Sequence, residues 1–428
     1  MRKSRKRKFK SGAKGFFFIL FILIVAGGVL LYQKNEELKE EKRILNEKNL
    51  IAKIKGHFND YVMTNKESNL YSKDGKIIGK INKDVYLVLD KTKIDKNTEY
   101  FKINNLEDHY IKYDDVDKTE EITKSDRYKK YIPYNQNVKT EKETTFYDEK
   151  GNFIYTISKP IDSPVIVKEK EYYGIEFDNQ ILYVKKDDVN LYDHHNTDKK
   201  NTNGAAVLNY HFFYEDGNPD GCNEVICAPK SQLKSHLDYF KEKNILTITM
   251  NELEMFMDGK IQLPKSVIIT IDDGGRTKVA VDLITEYKMN ATIFLISSWF
   301  DPKTYYKTDY IELHSHTHNL HVGGKCPGGQ GSGLKCLDKA VLLDDLKKSR
   351  ETLGGTTAMA YPFYEHNAYS REVVKEAGFT MAFIGEIAAS YGPYKLAEVG
   401  GDKLEIPRFA VVTYTTIDEL NRYFNEIR

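Results

Sequence analysis

The sequence predicts an α/β unit in its second half, a sheet of parallel strands with helices outside, preceded by two small all-β units. Three observations carry this. From Ala206 onward, strand-like apolar runs alternate with helix-like stretches. Residues 57–193 contain an internal repeat of short runs rich in Tyr, Ile and Val. A polar, turn-rich stretch ending at Ala205 separates the two regions. A chain of 428 residues exceeds one ordinary core, so several folded units are expected.

In chain order, residues 1–14 form a basic tail with eight Lys and Arg side chains, expected to stay cytoplasmic. The net charge is +1, so the remainder is formally about −7. An acidic remainder argues against nucleic acid as a partner, because phosphate binding needs a basic surface. Residues 15–32 carry no charge and are almost purely apolar, near the lower limit for spanning a bilayer. They predict a transmembrane anchor, with everything after Gln33 outside the cell. A cleaved signal peptide is the rival reading, and it exports the same residues. Residues 33–56 are rich in Glu, Lys and Leu, with Leu31, Leu38 and Leu45 seven apart. They predict a helical stalk.

The repeat divides into units at 57–125 and 126–193. Tyr110 and Tyr183 align through matching Asp-Asp-Val ends at Val116 and Val189. Near the start of each copy, Tyr71 aligns with Tyr147 and Gly75 with Gly151. Short β-rich runs around Asp-Gly and Lys-Gly turns predict strands and hairpins. These copies resemble bacterial SH3-like domains, which implies wall binding; a spacer is the equal alternative. Residues 194–205 form a linker. In 206–428 the expected strands are 207–211, 266–271, 291–296, 310–314 and 357–361. The expected helices are 232–243, 251–258, 278–287, 339–352, 370–377 and 417–426. The four cysteines fall in two close pairs, Cys222 with Cys227 and Cys326 with Cys336. Outside the cytoplasm they predict two local disulfides; a zinc site of four thiolates fits these spacings poorly.

Chemistry concentrates at strand ends. The run SVIITIDDGG takes an apolar strand straight into Asp272 and Asp273. Two adjacent carboxylates there are costly if buried unpaired, and a bound metal removes that objection. The run ELHSHTHNLH puts four histidines in ten residues after another strand. One buried or solvated histidine is ordinary, but four together point to a metal. Spacing leaves the pair open. His314 and His318 are four apart, as on one helix face, whereas His316 and His321 converge only where the chain bends.

With these motifs in view, residues 206–428 resemble the polysaccharide deacetylase family, also called the NodB homology domain or carbohydrate esterase family 4. Thr270, Ile271, Asp272, Asp273 and Gly274 match its first motif. Ser315, His316, Thr317 and the later His321 match its second, and Tyr361, Pro362 and Phe363 its third. Tyr210 and His211 resemble the Tyr-His that opens many members. Ala360 and Tyr361 stand where the third motif often begins with Arg, and no histidine follows His366 to supply the family's terminal general acid.

The resemblance implies a distorted (β/α) barrel and a divalent ion, zinc in the family, held by Asp273, His316 and His321. It implies Asp272 as general base and the Phe363 backbone N–H at the oxyanion. His211, or Asp272 returning its proton, would serve the leaving amine, and Arg408 would be a cation beside the base. The implied activity is N-deacetylation of a cell-wall polysaccharide, an N-acetylated glycan, at an extracytoplasmic site on the cell membrane. Peptidoglycan is the first choice. Poly-N-acetylglucosamine exopolysaccharide is the alternative, and a catalytically decayed wall-binding protein is a third reading.

Overall fold

A computed structural model describes residues 27–46, 61–90, 100–104, 106, 108–123, 125–196, 199–385 and 395–428. It divides into two compact units, Met1–Lys124 with Lys142–Lys159, and Ser125–Glu141 with Pro160–Arg428. Most of the expected anchor at 15–32 lies outside the described residues. A helix spans 27–46, and no helix among the described residues is long and apolar enough to cross a membrane. That helix begins apolar at Val29, Leu30 and Leu31 but soon enters charged sequence. There Lys39 pairs with Glu36 and Arg43 with Glu40. It covers the first part of the expected stalk, and 47–56 lies outside the described residues.

The first unit is β-rich. Ser68–Tyr71 and Ile77–Ile81 pair as an antiparallel hairpin, and so do Thr144–Tyr147 and Phe153–Ile157. Gly75 and Gly151 turn these hairpins at φ 77° and 81°, a region that a residue with a Cβ enters only at a cost. The two hairpins join through Ile77–Ile81 and Phe153–Ile157. In the second unit Asp162–Lys168, Tyr172–Phe177 and Gln180–Lys185 form an antiparallel meander. The Asp-Asp ends of both repeat copies form the same short 3₁₀ turn, Tyr113–Asp115 and Lys186–Asp188, which follows from their matched sequence. Within the second unit, Arg127 bonds Glu252 and the Thr247 carbonyl, and Tyr131 donates to Glu252 at 2.9 Å. These bonds fasten the 3₁₀ turn Asp126–Lys130 and its cap to the α/β part.

The α/β part follows from buried apolar strands. β1 (Gly204–Tyr210), β2 (Ser266–Ile271), β3 (Ala291–Leu295), β4 (Ile311–Ser315), β5 (Ala358–Ala360) and β6 (Met381–Phe383) lie side by side in that order, all parallel. All of β2 is buried. A parallel strand covered on both faces must be continuously apolar, and each buried Ile contributes about 1.5–3 kcal/mol. Helices α1 (Lys230–Glu242), α2 (Met250–Met257), α3 (Lys278–Tyr287), α4 (Lys339–Thr352), α5 (Ala368–Glu376) and α6 (Ile417–Asn425) surround the sheet. Leu233, Leu237 and Phe240 of α1, Ile284 of α3, and Leu420 and Phe424 of α6 enter one core with β1, β2 and β3.

The sheet curls without closing regularly. Its seam is spanned by a short segment in which Ile406 bridges Phe383 of β6 and Phe409–Ala410 pairs with β1. The expected parallel strands are present, with ends shifted by up to three residues. Leu246–Thr247, β6, Ala397–Glu398 and Phe409–Ala410 have two or three residues each, too few to show a period in sequence. Both expected disulfides form, Cys222–Cys227 and Cys326–Cys336.

Candidate metal centre

Asp272, Asp273, His316, Phe363 and His211 sit just beyond the ends of parallel strands. Beyond β2 the backbone turns sharply, with Asp273 at φ 70° and Gly274 at φ 89°. A Cβ on Gly274 would stand 2.4 Å from the Leu295 side chain, so only glycine lets this turn pack against β3. Beyond β4, Thr317 has φ 72°, and beyond β5 both Phe363 and Tyr364 are left-handed, at 59° and 61°. Each such non-glycine residue costs about 1–2 kcal/mol, and the packing around the site must supply it.

The turns bring Asp273, His316 and His321 together, one ligand atom from each lying within 4.8 Å of the others. The Nε2 atoms of His316 and His321 stand 3.4 and 3.2 Å from Asp273 Oδ1. His316 Nδ1 lies 2.9 Å from the Ala360 carbonyl oxygen, which only an N–H can satisfy. In its neutral form, the form that binds a metal, His316 therefore turns a bare Nε2 lone pair toward Asp273 Oδ1, a carboxylate oxygen buried without a hydrogen-bond partner. Electron pairs converging in a buried place repel unless a cation lies between them. The donor set, one carboxylate and two imidazoles, suits a zinc-like divalent ion and leaves positions open.

Asp272 faces a different partner. Arg408 from the seam, 1% exposed, donates through Nη1 to Asp272 Oδ1 at 2.7 Å and through Nη2 to Oδ2 at 2.9 Å. Its Nε donates to the Ile384 carbonyl at 3.0 Å, and its guanidinium lies over the Phe294 and Tyr364 rings. Burial alone would raise the Asp272 carboxyl. Arg408, with His316 and His211, outweighs it and holds the group below its ordinary value. The fork keeps a carboxylate ionised 1% exposed, which an unpaired carboxylate could not sustain. His211 Nε2 stands 3.9 Å from Asp272 Oδ2, and burial lowers its proton affinity despite both aspartates. The Phe363 ring lies 4.5 Å from that of His321. All seven residues singled out from sequence therefore share one mouth. His314 and His318 are outside the cluster, with Nδ1 atoms turned to Thr356 and Ser297.

Three supporting residues escaped the sequence reading. Asn209 donates to Tyr364 Oη at 2.7 Å and to Asp272 Oδ2 at 3.3 Å. Tyr364 packs its ring over Gly385, where a Cβ would meet it at 2.4 Å. Asp345 of α4 accepts from the backbone N–H groups of His318 and Asn319, at 2.9 and 2.7 Å, and so pins the chain between the two histidine ligands. A signal for it existed, because Asp345 lies on the inward stripe of α4 with Leu342, Leu346 and Ser349. Asp345→Ala is expected to weaken metal binding by about 10–100-fold, because residues that orient ligands typically act at that scale. Metal titration of the variant checks this, and unchanged affinity would deny Asp345 its positioning role.

A strand-end mouth of this kind fits hydrolysis assisted by a divalent ion. The polysaccharide deacetylase family profile matches residues 260–382. A poly-β-1,6-N-acetyl-D-glucosamine N-deacetylase of Staphylococcus aureus is 28% identical over 217 residues, covering 43% of this chain and 73% of the relative. A de-N-acetylase from Aggregatibacter actinomycetemcomitans aligns with TM-score 0.44 and 20% identity, covering 51% of this chain and 99% of that one. IcaB from Ammonifex degensii aligns with TM-score 0.41 and 19% identity, covering 53% and 98%. The chain carries a polysaccharide deacetylase domain, which makes it a carbon–nitrogen bond hydrolase.

Proposed function

We propose that the protein removes acetyl groups from N-acetylglucosamine residues of an exopolysaccharide of the poly-β-1,6-linked type. The observation that carries the reading is the Asp273, His316 and His321 cluster beside the Arg408-held Asp272. The Staphylococcus aureus relatives support the exopolysaccharide over the peptidoglycan expected from the wall-type repeats. An extracytoplasmic site belongs to the same proposal, and the two disulfides support it, since such bonds persist in oxidising compartments.

Asp273, His316 and His321 would hold the ion, zinc by its donor set. When bound, it supplies Lewis acidity that lowers the pKa of water and polarises the amide carbonyl. Asp272 takes the proton of the attacking water, and Arg408 keeps that carboxylate ionised and aimed. The Phe363 backbone N–H donates a hydrogen bond to the carbonyl oxygen as negative charge develops there. As the carbon–nitrogen bond breaks, Asp272 returns its proton to the leaving amine; His211, whose proton affinity burial lowers, is the weaker candidate for that step. The products are acetate and a glucosamine residue.

Acetate release tests the reading. The full-length protein in detergent, loaded with zinc, is expected to release acetate from poly-β-1,6-N-acetylglucosamine faster than from peptidoglycan. The reverse preference would return the substrate to the cell wall, and no release from either would leave a wall-binding role.

A further inference from the structure

The sequence contains a single tryptophan, Trp299, and it is 57% exposed. An indole is among the largest apolar groups a chain can bury, so one left in solvent beside a catalytic mouth points to a partner outside the fold. Its ring stands edge-on to the ligand His321, with centroids 5.9 Å apart and planes at 71°. Val322, next to that ligand, adds apolar surface at 41% exposure.

The mount is rigid although the side chain is exposed. The Trp299 and Phe300 N–H groups both donate to the Ile296 carbonyl, at 3.0 and 3.2 Å. Ser297 and Ser298 donate to the Thr317 and His318 carbonyls, at 3.2 and 3.0 Å, which ties this turn to the histidine segment. Phe300 packs inward, its ring 3.1 Å from where a Cβ on Gly274 would stand. The indole is therefore held at a set place relative to both ligand-bearing turns. A rigid aromatic group loses little freedom on binding, which makes it an efficient anchor.

A pyranose ring offers a matching surface. Its ring C–H bonds make the faces apolar, while its hydroxyl and acetamido groups project from the edges. An aromatic face can cover the first without desolvating the second. We propose that Trp299 is the platform against which a sugar ring of the polymer stacks, holding the chain so that an acetamido group reaches the metal cluster. This rests on the deacetylase reading above.

The test uses a β-1,6-linked N-acetylglucosamine pentamer and the zinc-loaded full-length protein. Trp299→Ala is expected to raise KM about tenfold while kcat moves within about twofold, and Trp299→Phe to recover most of the loss. Zinc content should match wild type, since Trp299 is not a ligand. The lone indole also reports binding directly. In the slow Asp272→Asn variant its emission should shift as pentamer is added to saturation, with saturation set by calorimetry. An unchanged KM in Trp299→Ala, or an emission that saturating pentamer does not move, overturns the platform. A shift in emission without acetate release by wild type overturns the deacetylation reading and retains the platform.

Discussion

Asp272→Asn is expected to lower turnover about 10³-fold while zinc stays bound. An amide cannot take the proton from water, whereas Asp273, His316 and His321 are untouched. The fold should also suffer. Arg408 is buried with both terminal nitrogens on the Asp272 carboxylate. Asn can accept only one of those bonds and brings no charge, so the guanidinium is left short of a counter-ion. Breaking a buried pair of this kind costs about 3–5 kcal/mol. Turnover should therefore be normalised to zinc-loaded folded protein, well below the melting temperature. Near-normal turnover on that basis would remove Asp272 from the chemistry. Asp273→Asn is expected to lose zinc as well as turnover.

His321→Ala is expected to weaken zinc affinity by 10²-fold or more, on the order of losing one ligand in three. His318→Ala should bind zinc nearly as wild type does. Spacing along a helix would favour the opposite result, because His314 and His318 are four apart. The chain here is not a helix. It leaves β4 at Ser315, turns through a left-handed Thr317, and is pinned by Asp345 at His318 and Asn319. His318 then faces Ser297, and His321 comes round to Asp273. Zinc surviving His321→Ala and lost from His318→Ala would show that the ligands are misassigned.

Much of the α/β part was legible because burial writes itself into sequence. The strand Ser266–Ile271 and the helices Lys278–Tyr287 and Lys339–Thr352 have the ends their sequence predicts. A strand covered on both faces is a continuous apolar run, and a helix on a sheet carries an apolar stripe. The hairpins of the β repeats were legible for a second reason. Gly75 and Gly151 sit at matching places in the two copies, and both turns need a positive φ. The short strands of the seam carry no such mark, because two or three residues cannot display a period.

The sequence by itself determined which residue types gather at the strand ends, since no local structure makes four histidines or paired aspartates cheap. Family resemblance then chose among them. Only the tertiary structure decided how they are used. Arg408 lies 136 residues from Asp272, and Asn209 lies 63 residues from it on the other side. No spacing rule links groups so far apart. They meet because β1 and β2 are neighbours and the segment bearing Arg408 fills the seam of the curled sheet. The same curl sets Asp345 under the histidine turn and leaves Trp299 in solvent beside it. A buried carboxylate stays charged only with a partner supplied at atomic distance, and that partner is a property of the folded chain.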